Sequence, residues 1–144
     1  MNYDSIIPKM GEVYFINFHG VNSEQSGWRP GLIIQNNTGN LYSPNIIALP
    51  LTSSLKKLNQ PTHVLIHAID SGLEIDSMVL CENPVCISKK CIGKFITTLS
   101  DNYMQKVSEA FLISTPAISF IDMEKLESII EYASKLNMIE AYSS

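Results

Sequence analysis

The fold is decided by a short apolar stretch, Glu12-Val13-Tyr14-Phe15-Ile16-Asn17-Phe18. Its β-branched and aromatic residues are typical of a β-strand. Residues 19–30 follow with glycine, asparagine, serine and proline, a composition that predicts a loop. Leu32 to Gln35 then predicts a short buried strand. The first 35 residues therefore predict a mainly β fold.

Further strands are predicted in the middle of the chain, at residues 45–51, 63–69, 77–82 and 92–99. Residues 36–44 are dense in asparagine, glycine, serine and proline, and they predict a second loop. Pro50 lacks an amide hydrogen, so its strand is predicted at a sheet edge or a bulge. Frequent short strands with turns between them favour a small, strongly bent sheet or a partly open barrel.

The last third changes to helical periodicity. Ser100 is a good N-cap and Asp101 suits the first turn, so a helix is predicted from there until Pro116 breaks it. Asp122 can cap a second helix with an apolar stripe formed by Leu126, Ile129, Ile130, Ala133 and Leu136. That stripe packs either against the chain's own sheet or against a partner, and the sequence leaves both open.

Composition sets limits on function. The chain has 144 residues of which 45% are hydrophobic, enough for one domain with a core. It shows no signal peptide and no apolar run near the ~18 residues of a membrane span. Cys81, Cys86 and Cys91 are five apart, which does not fit zinc spacing and favours free thiols in a reducing cytosol. Neither a metal nor another cofactor is predicted.

The net charge of −4 lies in residues 100–144, because residues 1–99 carry equal numbers of acidic and basic side chains. An acidic chain is a poor candidate for tight, non-specific binding to duplex DNA, which needs many cations against phosphates. Short single-stranded nucleic acid in a local basic groove remains compatible with this charge.

Two adjacent residues are candidates for chemistry, the single arginine, Arg29, and the single tryptophan, Trp28. A guanidinium suits a phosphate, and an indole offers a base a stacking surface. The structural alternative is an ion pair of Arg29 with Glu12, Glu24 or Glu82 and a Trp28 buried in the core.

Other polar groups follow predicted strands. Thr52, Ser53 and Lys56 lie where a strand ends and could hold a phosphate, or they could form an ordinary capped turn. Glu82 ends another strand, either as a base or as the counter-ion of Arg29. His63 and His67 are about 13 Å apart in an extended strand, too far to share a metal.

The chain resembles the MazF/PemK-like toxins of type II toxin–antitoxin systems from about Lys9 to Ser114. The strings that carry the resemblance are Gly11-Glu12-Val13, Ser23-Glu24-Gln25-Ser26-Gly27-Trp28-Arg29-Pro30, Leu51-Thr52-Ser53 and Pro61-Thr62-His63-Val64. The resemblance implies an SH3-like curved barrel over residues 1–114, to which residues 115–144 add a helical extension.

The resemblance also implies a function. It implies metal-independent, sequence-specific cleavage of single-stranded messenger RNA in the cytoplasm by a homodimer, and inhibition by a cognate antitoxin protein. By position, Arg29 and Thr52 would be catalytic. The implied RNA-binding residues are Glu24, Gln25, Trp28, Ser53, Lys56 and Glu82.

The proposed chemistry is physically consistent with these residues. Attack by a ribose 2′-hydroxyl on its own 3′-phosphate builds negative charge that a cation and a hydroxyl can stabilise. This route leaves a 2′,3′-cyclic phosphate and a 5′-hydroxyl. Glu24, Glu82 and a substrate-assisted route all remain open as the general base.

One departure from the family pattern bears on activity. Many members have glutamine and arginine where this chain has Asn83 and Val85. The lost arginine removes a phosphate contact, for which Lys89 or Lys90 would be a point-charge substitute. The alternative function is therefore a weakened toxin that binds RNA or an antitoxin but cuts poorly.

Overall fold

A single seven-stranded antiparallel sheet organises the chain, of which the computed structural model describes residues 6–18 and 27–138. The strands are β1 (Glu12–Asn17), β2 (Trp28–Ile33), β3 (Asn45–Thr52), β4 (His63–Ile66), β5 (Ser77–Leu80), β6 (Val85–Ser88) and β7 (Ile92–Thr98). The α-helices are α1 (Asn37–Tyr42), α2 (Asp101–Ile113) and α3 (Leu126–Asn137). The predicted class, mainly β with C-terminal helices, is confirmed.

The strands follow the order β4-β5-β3-β2-β1-β7, and β6 pairs with β3 beside this path. Strands β4 and β7 end the order and do not pair with each other within the described residues, so the sheet is open there. β3 pairs with three strands and is the centre of the fold. Residues at the end of β3 therefore lie inside the sheet and not at its edge.

Two apolar clusters form because side chains alternate along each strand. Val13, Leu32 and Leu49 belong to the first cluster, together with Val107 of α2. Ile16, Ile33, Ile46 and Ala48 belong to the second. Since both clusters contain residues of β1, β2 and β3, these three strands form the best-buried part of the sheet.

Pro50 was predicted at an edge or bulge, and it is instead buried in the central strand β3. On one side of β3, β6 pairs with residues 45–48 and β5 pairs with residues 51 and 52. Pro50 therefore lies where the ladder on that side passes from one partner to the other. A residue without an amide hydrogen is tolerated at such an interruption.

Two segments predicted as loops contain regular structure. β2 begins at Trp28, so Trp28, Arg29 and Pro30 belong to a strand rather than to the preceding loop. α1 replaces the second predicted loop: the Asn36 side chain accepts a hydrogen bond from the Gly39 amide and so caps this helix. The prediction failed because the same asparagines and glycine that form turns also cap and fill a short helix.

The first C-terminal helix is confirmed with its cap. The Ser100 side chain accepts from the Tyr103 amide, and α2 ends before Pro116. Asp122 caps a 3₁₀ turn, Met123–Lys125, which leads into α3. Within the described residues, no helix combines the length and the apolar character needed to cross a bilayer.

α3 has an apolar stripe as predicted, but none of its residues is buried. Its C-terminal end is tied to α1 by hydrogen bonds. The Asn37 amide donates to Asn137 Oδ1 at 3.0 Å, and Thr38 Oγ1 donates to the Leu136 carbonyl at 2.6 Å. Ile129 and Ile130 are exposed. The prediction that the stripe packs against the chain's own sheet is therefore wrong for these two residues.

Candidate active site

Arg29 and Thr52 come together through the register of β2 and β3. Gly31 pairs with Pro50 in this ladder, and extending the same register by two residues places Arg29 opposite Thr52. Opposed residues of an antiparallel pair point to the same face of a sheet. The sequence separation of the two side chains is thus bridged by the central strands of the fold.

Two adjoining clefts share these two residues. The first, of about 480 Å³, is lined by Arg29, Thr52 and Ser53 together with Phe15 and Phe95, and we call it the aromatic cleft. The second, of about 570 Å³, we call the histidine cleft. Its lining includes Arg29, Thr52, Lys56, Lys57, His63 and Glu82. Arg29 and Thr52 therefore stand at the junction of the two clefts.

Arg29 makes no ion pair or hydrogen bond through its side chain with any residue that the structure describes, and its buried Nε has no partner. Glu12, one predicted partner, instead accepts bonds from the Lys9 amide and from Tyr14 Oη. Burial and the bond to Glu12 raise the pKa of Tyr14. A pairing of Arg29 with Glu12 is therefore wrong.

Trp28 does not fill the core, since 60% of its surface is exposed. Its ring lies over Gly93 of β7, where an added Cβ would come within 2.7 Å of Trp28 Cζ3. Glycine at this position leaves room for the indole, which reaches from β2 past β1 to β7. The result is an exposed aromatic surface held in place by the sheet.

Glu82 pairs with His63 rather than with Arg29. His63 Nε2 lies 2.9 Å from Glu82 Oε2, so the prediction of Glu82 as the counter-ion of Arg29 is wrong. The sequence alone indicates His63 only as a strand residue and does not reveal this pair. The signal that could have found it is the pairing of the strand that begins at His63 with the strand that Glu82 follows.

The other predicted site residues are distributed unevenly. Ser53 lines the aromatic cleft and Lys56 lines the histidine cleft. Glu24 and Gln25 lie outside the described residues. The aromatic cleft is also lined by Phe15, Phe95 and Lys94, which the sequence did not identify as site residues. Across residues 6–18 and 27–138, no three His, Cys, Asp or Glu side chains are grouped as a metal site.

The departure at Val85 has a structural explanation. Val85 begins β6 opposite Ala48, and it packs against the second apolar cluster. Lys89 does not replace the lost arginine: its Nζ points to the Leu41 carbonyl at 3.4 Å, and burial lowers its pKa. Lys90 is exposed, and neither lysine lines the two clefts.

The cysteines of the site region are expected to differ sharply in reactivity. Cys81 precedes Glu82, and burial together with the nearby Glu82 charge raises its pKa to about 12. Because the thiolate is the nucleophile, Cys81 should resist iodoacetamide at pH 8 while the exposed Cys86 is alkylated. Peptide mass spectrometry of the folded protein measures both, and unfolding in urea should release Cys81. Alkylation of Cys81 as fast as Cys86 in the folded protein would contradict this burial.

Comparison with known proteins gives one family for most of the chain. Residues 9–115 match the model of the family described as PemK-like, MazF-like toxin of type II toxin–antitoxin system. The endoribonuclease EndoA of Bacillus subtilis is 44% identical over 116 residues, which cover 80% of this chain and 100% of EndoA. α3 lies beyond the residues that the family model matches.

Solved structures share the fold at lower identity. MazF from Deinococcus radiodurans covers 75% of this chain with a TM-score of 0.65 and 20% identity, and 96% of that chain is covered. A mycobacterial endoribonuclease solved in complex with its cognate antitoxin covers 74% of this chain with a TM-score of 0.61 and 23% identity, and 93% of it is covered.

Proposed function

Because this chain belongs to the PemK-like, MazF-like toxins of type II toxin–antitoxin systems, we propose that it is an endoribonuclease that cuts single-stranded RNA. EndoA, its relative at 44% identity, is an endoribonuclease and is matched along its whole length. The site described above supplies the groups that such an activity requires.

One observation carries the proposal: Arg29 stands where two clefts meet and has no protein partner among the described residues. Leaving a buried donor without a partner costs about 1–3 kcal/mol. The donor that bears this cost is Nε of Arg29, the only arginine in the chain. A guanidinium kept free of carboxylates beside a hydroxyl is suited to a phosphodiester.

In the proposed mechanism the ribose 2′-hydroxyl attacks the adjacent phosphorus and the bond to the 5′-oxygen breaks. Negative charge builds on the non-bridging oxygens as the phosphorus becomes five-coordinate. The Arg29 guanidinium and the Thr52 hydroxyl stabilise this charge, as in an oxyanion hole. The products are a 2′,3′-cyclic phosphate and a 5′-hydroxyl.

The clefts also provide surfaces for the bases. Phe15 and Phe95 line the aromatic cleft, and Trp28 is exposed on the neighbouring strand. Stacking on aromatic side chains contributes about 1–3 kcal/mol per base in single-stranded nucleic acid binding. Ser53 and Lys56 would contact phosphates. Glu24, Gln25 and Glu82 complete the proposed RNA-binding residues.

The partners follow from the same proposal. The chain would act as a cytoplasmic homodimer. It would also bind a cognate antitoxin, and a mycobacterial endoribonuclease has been solved in complex with its own antitoxin. Residues 1–114 would form the toxin unit with an SH3-like curvature of its sheet, and residues 115–144 an appended helical segment.

A weakened toxin is the second candidate, and Val85 is the observation that favours it. Val85 supplies no cation, and Lys89 and Lys90 do not line the clefts. However, Lys56 and Lys57 line the histidine cleft and Lys94 lines the aromatic cleft. These lysines provide positive charge close to Arg29, and we therefore favour the active enzyme.

The test is cleavage of a mixed-sequence single-stranded RNA by the purified chain in excess EDTA. We expect discrete fragments with 5′-hydroxyl ends, because the proposed stabilising groups are all side chains of the protein. A DNA strand of the same sequence should stay intact. Tight RNA binding with no cleavage under single-turnover conditions would favour the weakened toxin, and dependence on added metal would contradict the mechanism.

A further inference from the structure

The helix α3 presents an apolar face that the described part of the chain leaves largely uncovered. Leu126, Ile129, Ile130 and Ala133 follow one another at helical spacing, and we call these four residues the α3 face. Ile129 is 44% exposed and Ile130 is 56% exposed, and Ala133 is exposed as well. The face lies beyond the residues that the toxin family model matches, so it belongs to the extension of this chain.

α3 needs a cover on this face in order to be stable. The helix has 12 residues, and isolated helices shorter than about 12–15 residues are marginal in water. Among the described residues, no side chain caps its N-terminus and none of its own residues is buried. Short helices gain most of their stability from packing an amphipathic face against a neighbour. That neighbour therefore has to come from outside the described chain.

Hydrogen bonds to α1 hold one end of α3 in place. The Asn37 side-chain amide donates to the Asn137 carbonyl at 3.0 Å, and Thr38 Oγ1 donates to the Leu136 carbonyl at 2.6 Å. These carbonyls belong to the last turn of the helix, where no following turn can bond them. A helix fixed in this way presents its apolar face in a set orientation, which lowers the entropy cost of binding a partner.

The segment around the α3 face is rich in exposed apolar side chains. Residues 112–138 carry nine large ones, among them Phe120, Met123 and Tyr132. A monomeric protein rarely exposes a contiguous apolar patch larger than about 300–600 Å². A standard interface takes about 20–30 residues and about 800 Å² from each partner, which is the scale of this segment. The extension therefore has the size and composition of one side of a protein–protein interface.

The charges of the extension favour a second copy of the chain as the partner. Glu127, Glu131 and Lys135 fall outside the α3 face, toward the opposite side of the helix. The net charge of −4 lies in residues 100–144, so a nucleic acid would be repelled. Two α3 faces, in contrast, meet without the cost of desolvating a charge. Two-fold pairing of one surface with itself is also the commonest arrangement in homo-oligomers.

We infer that the α3 face binds the α3 face of a second copy of this chain, with Ile129 and Ile130 at the centre of the contact. Another copy is always synthesised with the chain, as a helix that depends on its cover requires. The homodimer proposed above does not specify which surfaces meet. This inference adds a contact on the extension, outside the residues matched by the family model, and it does not depend on RNA cleavage.

Disulfide cross-linking of the full chain tests the contact directly. Ile130→Cys places a thiol at the middle of the α3 face, whereas Ser128→Cys places one on the opposite side of the same helix. A disulfide needs two Cα atoms within about 7 Å, so under mild oxidation Ile130→Cys should form a covalent dimer about tenfold faster than Ser128→Cys. The three native cysteines are present in both variants, and peptide mass spectrometry should assign the link to position 130 of both copies.

Ile130→Glu tests how much the contact contributes to association. Two carboxylates would face each other at the centre of the interface, so the dissociation constant from sedimentation equilibrium should rise about tenfold or more. Ser128→Glu adds the same charge on the opposite side and should stay within about twofold of wild type. Both positions are exposed, so thermal unfolding should show that the sheet is retained in both variants.

The assembly that Ile130→Glu loses depends on whether residues 1–114 also pair. A tetramer that becomes a dimer and a dimer that becomes a monomer both support the contact. A monomeric wild type, equal cross-linking of the two cysteine variants, or an unchanged dissociation constant in Ile130→Glu would overturn it. An antitoxin as the true occupant of the α3 face would overturn it in the same way, because association of the chain alone would then not depend on α3. No RNA is used, so failure of the proposed cleavage would leave these results unaffected.

Discussion

Replacing Arg29 with alanine is expected to lower the single-turnover rate of RNA cleavage by about 10²–10³-fold, the effect of removing one preorganised donor to a developing oxyanion. The guanidinium is unpaired within the described residues, so the substitution breaks no ion pair seen in the structure. Folding should therefore be retained, and the loss should appear in the chemical step. Rapid-quench cleavage with enzyme in excess over RNA measures this rate directly.

Arg29→Lys is the matched control for charge. A lysine keeps the positive charge but cannot offer the planar fork of donors, so its rate should lie between those of the wild type and Arg29→Ala. Lys90→Ala removes an exposed cation that lines neither cleft and should have no effect. Full activity in Arg29→Ala would remove the arginine from the mechanism.

Much of the fold could be predicted because its elements are local patterns. β1 and β3 follow from β-branched and aromatic runs, and α2 from the cap at Ser100. α1 could not be predicted, since it depends on contacts beyond its own sequence. Asn37 Oδ1 accepts from the Met10 amide, and the Asn37 amide and Thr38 Oγ1 donate to residues of α3. Such long-range polar contacts override the turn propensity of asparagine and glycine.

The candidate site could likewise be predicted only in part. Arg29 could be singled out as the single arginine of the chain, whereas the catalytic role of Thr52 was implied by the family resemblance. The register of β2 and β3 then brings the two residues together. The partner of Glu82 could not be selected, because it depends on which strands pair. His63 is 19 residues away in sequence, and only the β4–β5 ladder makes the two side chains neighbours.

α3 shows the limit of periodicity as a guide to packing. The stripe at Leu126, Ile129 and Ile130 predicts an amphipathic helix, and the helix is present. Periodicity does not identify the surface that covers the stripe. In this chain the contacts that fix the helix are polar, through Asn137 and the Leu136 carbonyl to α1.

Removing one oxygen from the substrate is the strongest test of the mechanism as a whole. Once a cleavage site has been mapped, the nucleotide on the 5′ side of that bond is synthesised with 2′-deoxyribose in an otherwise unchanged RNA. The attacking group is then absent, so cleavage at that bond should fall below detection although Arg29 and Thr52 are intact. The neighbouring nucleotide on the 3′ side, made 2′-deoxy in a second oligonucleotide, should leave the rate within a few fold of the all-ribose strand.

Binding and product measurements show whether the deoxy strand escapes cleavage because it lacks the attacking group or because it does not bind. The deoxy substrate should bind with nearly the affinity of RNA, because stacking and phosphate contacts do not require the 2′-hydroxyl. It should also compete with the all-ribose strand for cleavage. Mass spectrometry of the all-ribose reaction should show an upstream fragment lighter by one water than the linear phosphate, as a cyclic phosphate requires. Cleavage of the deoxy strand at the mapped bond would mean that water attacks the phosphorus, and this result would contradict the proposed attack by the 2′-hydroxyl.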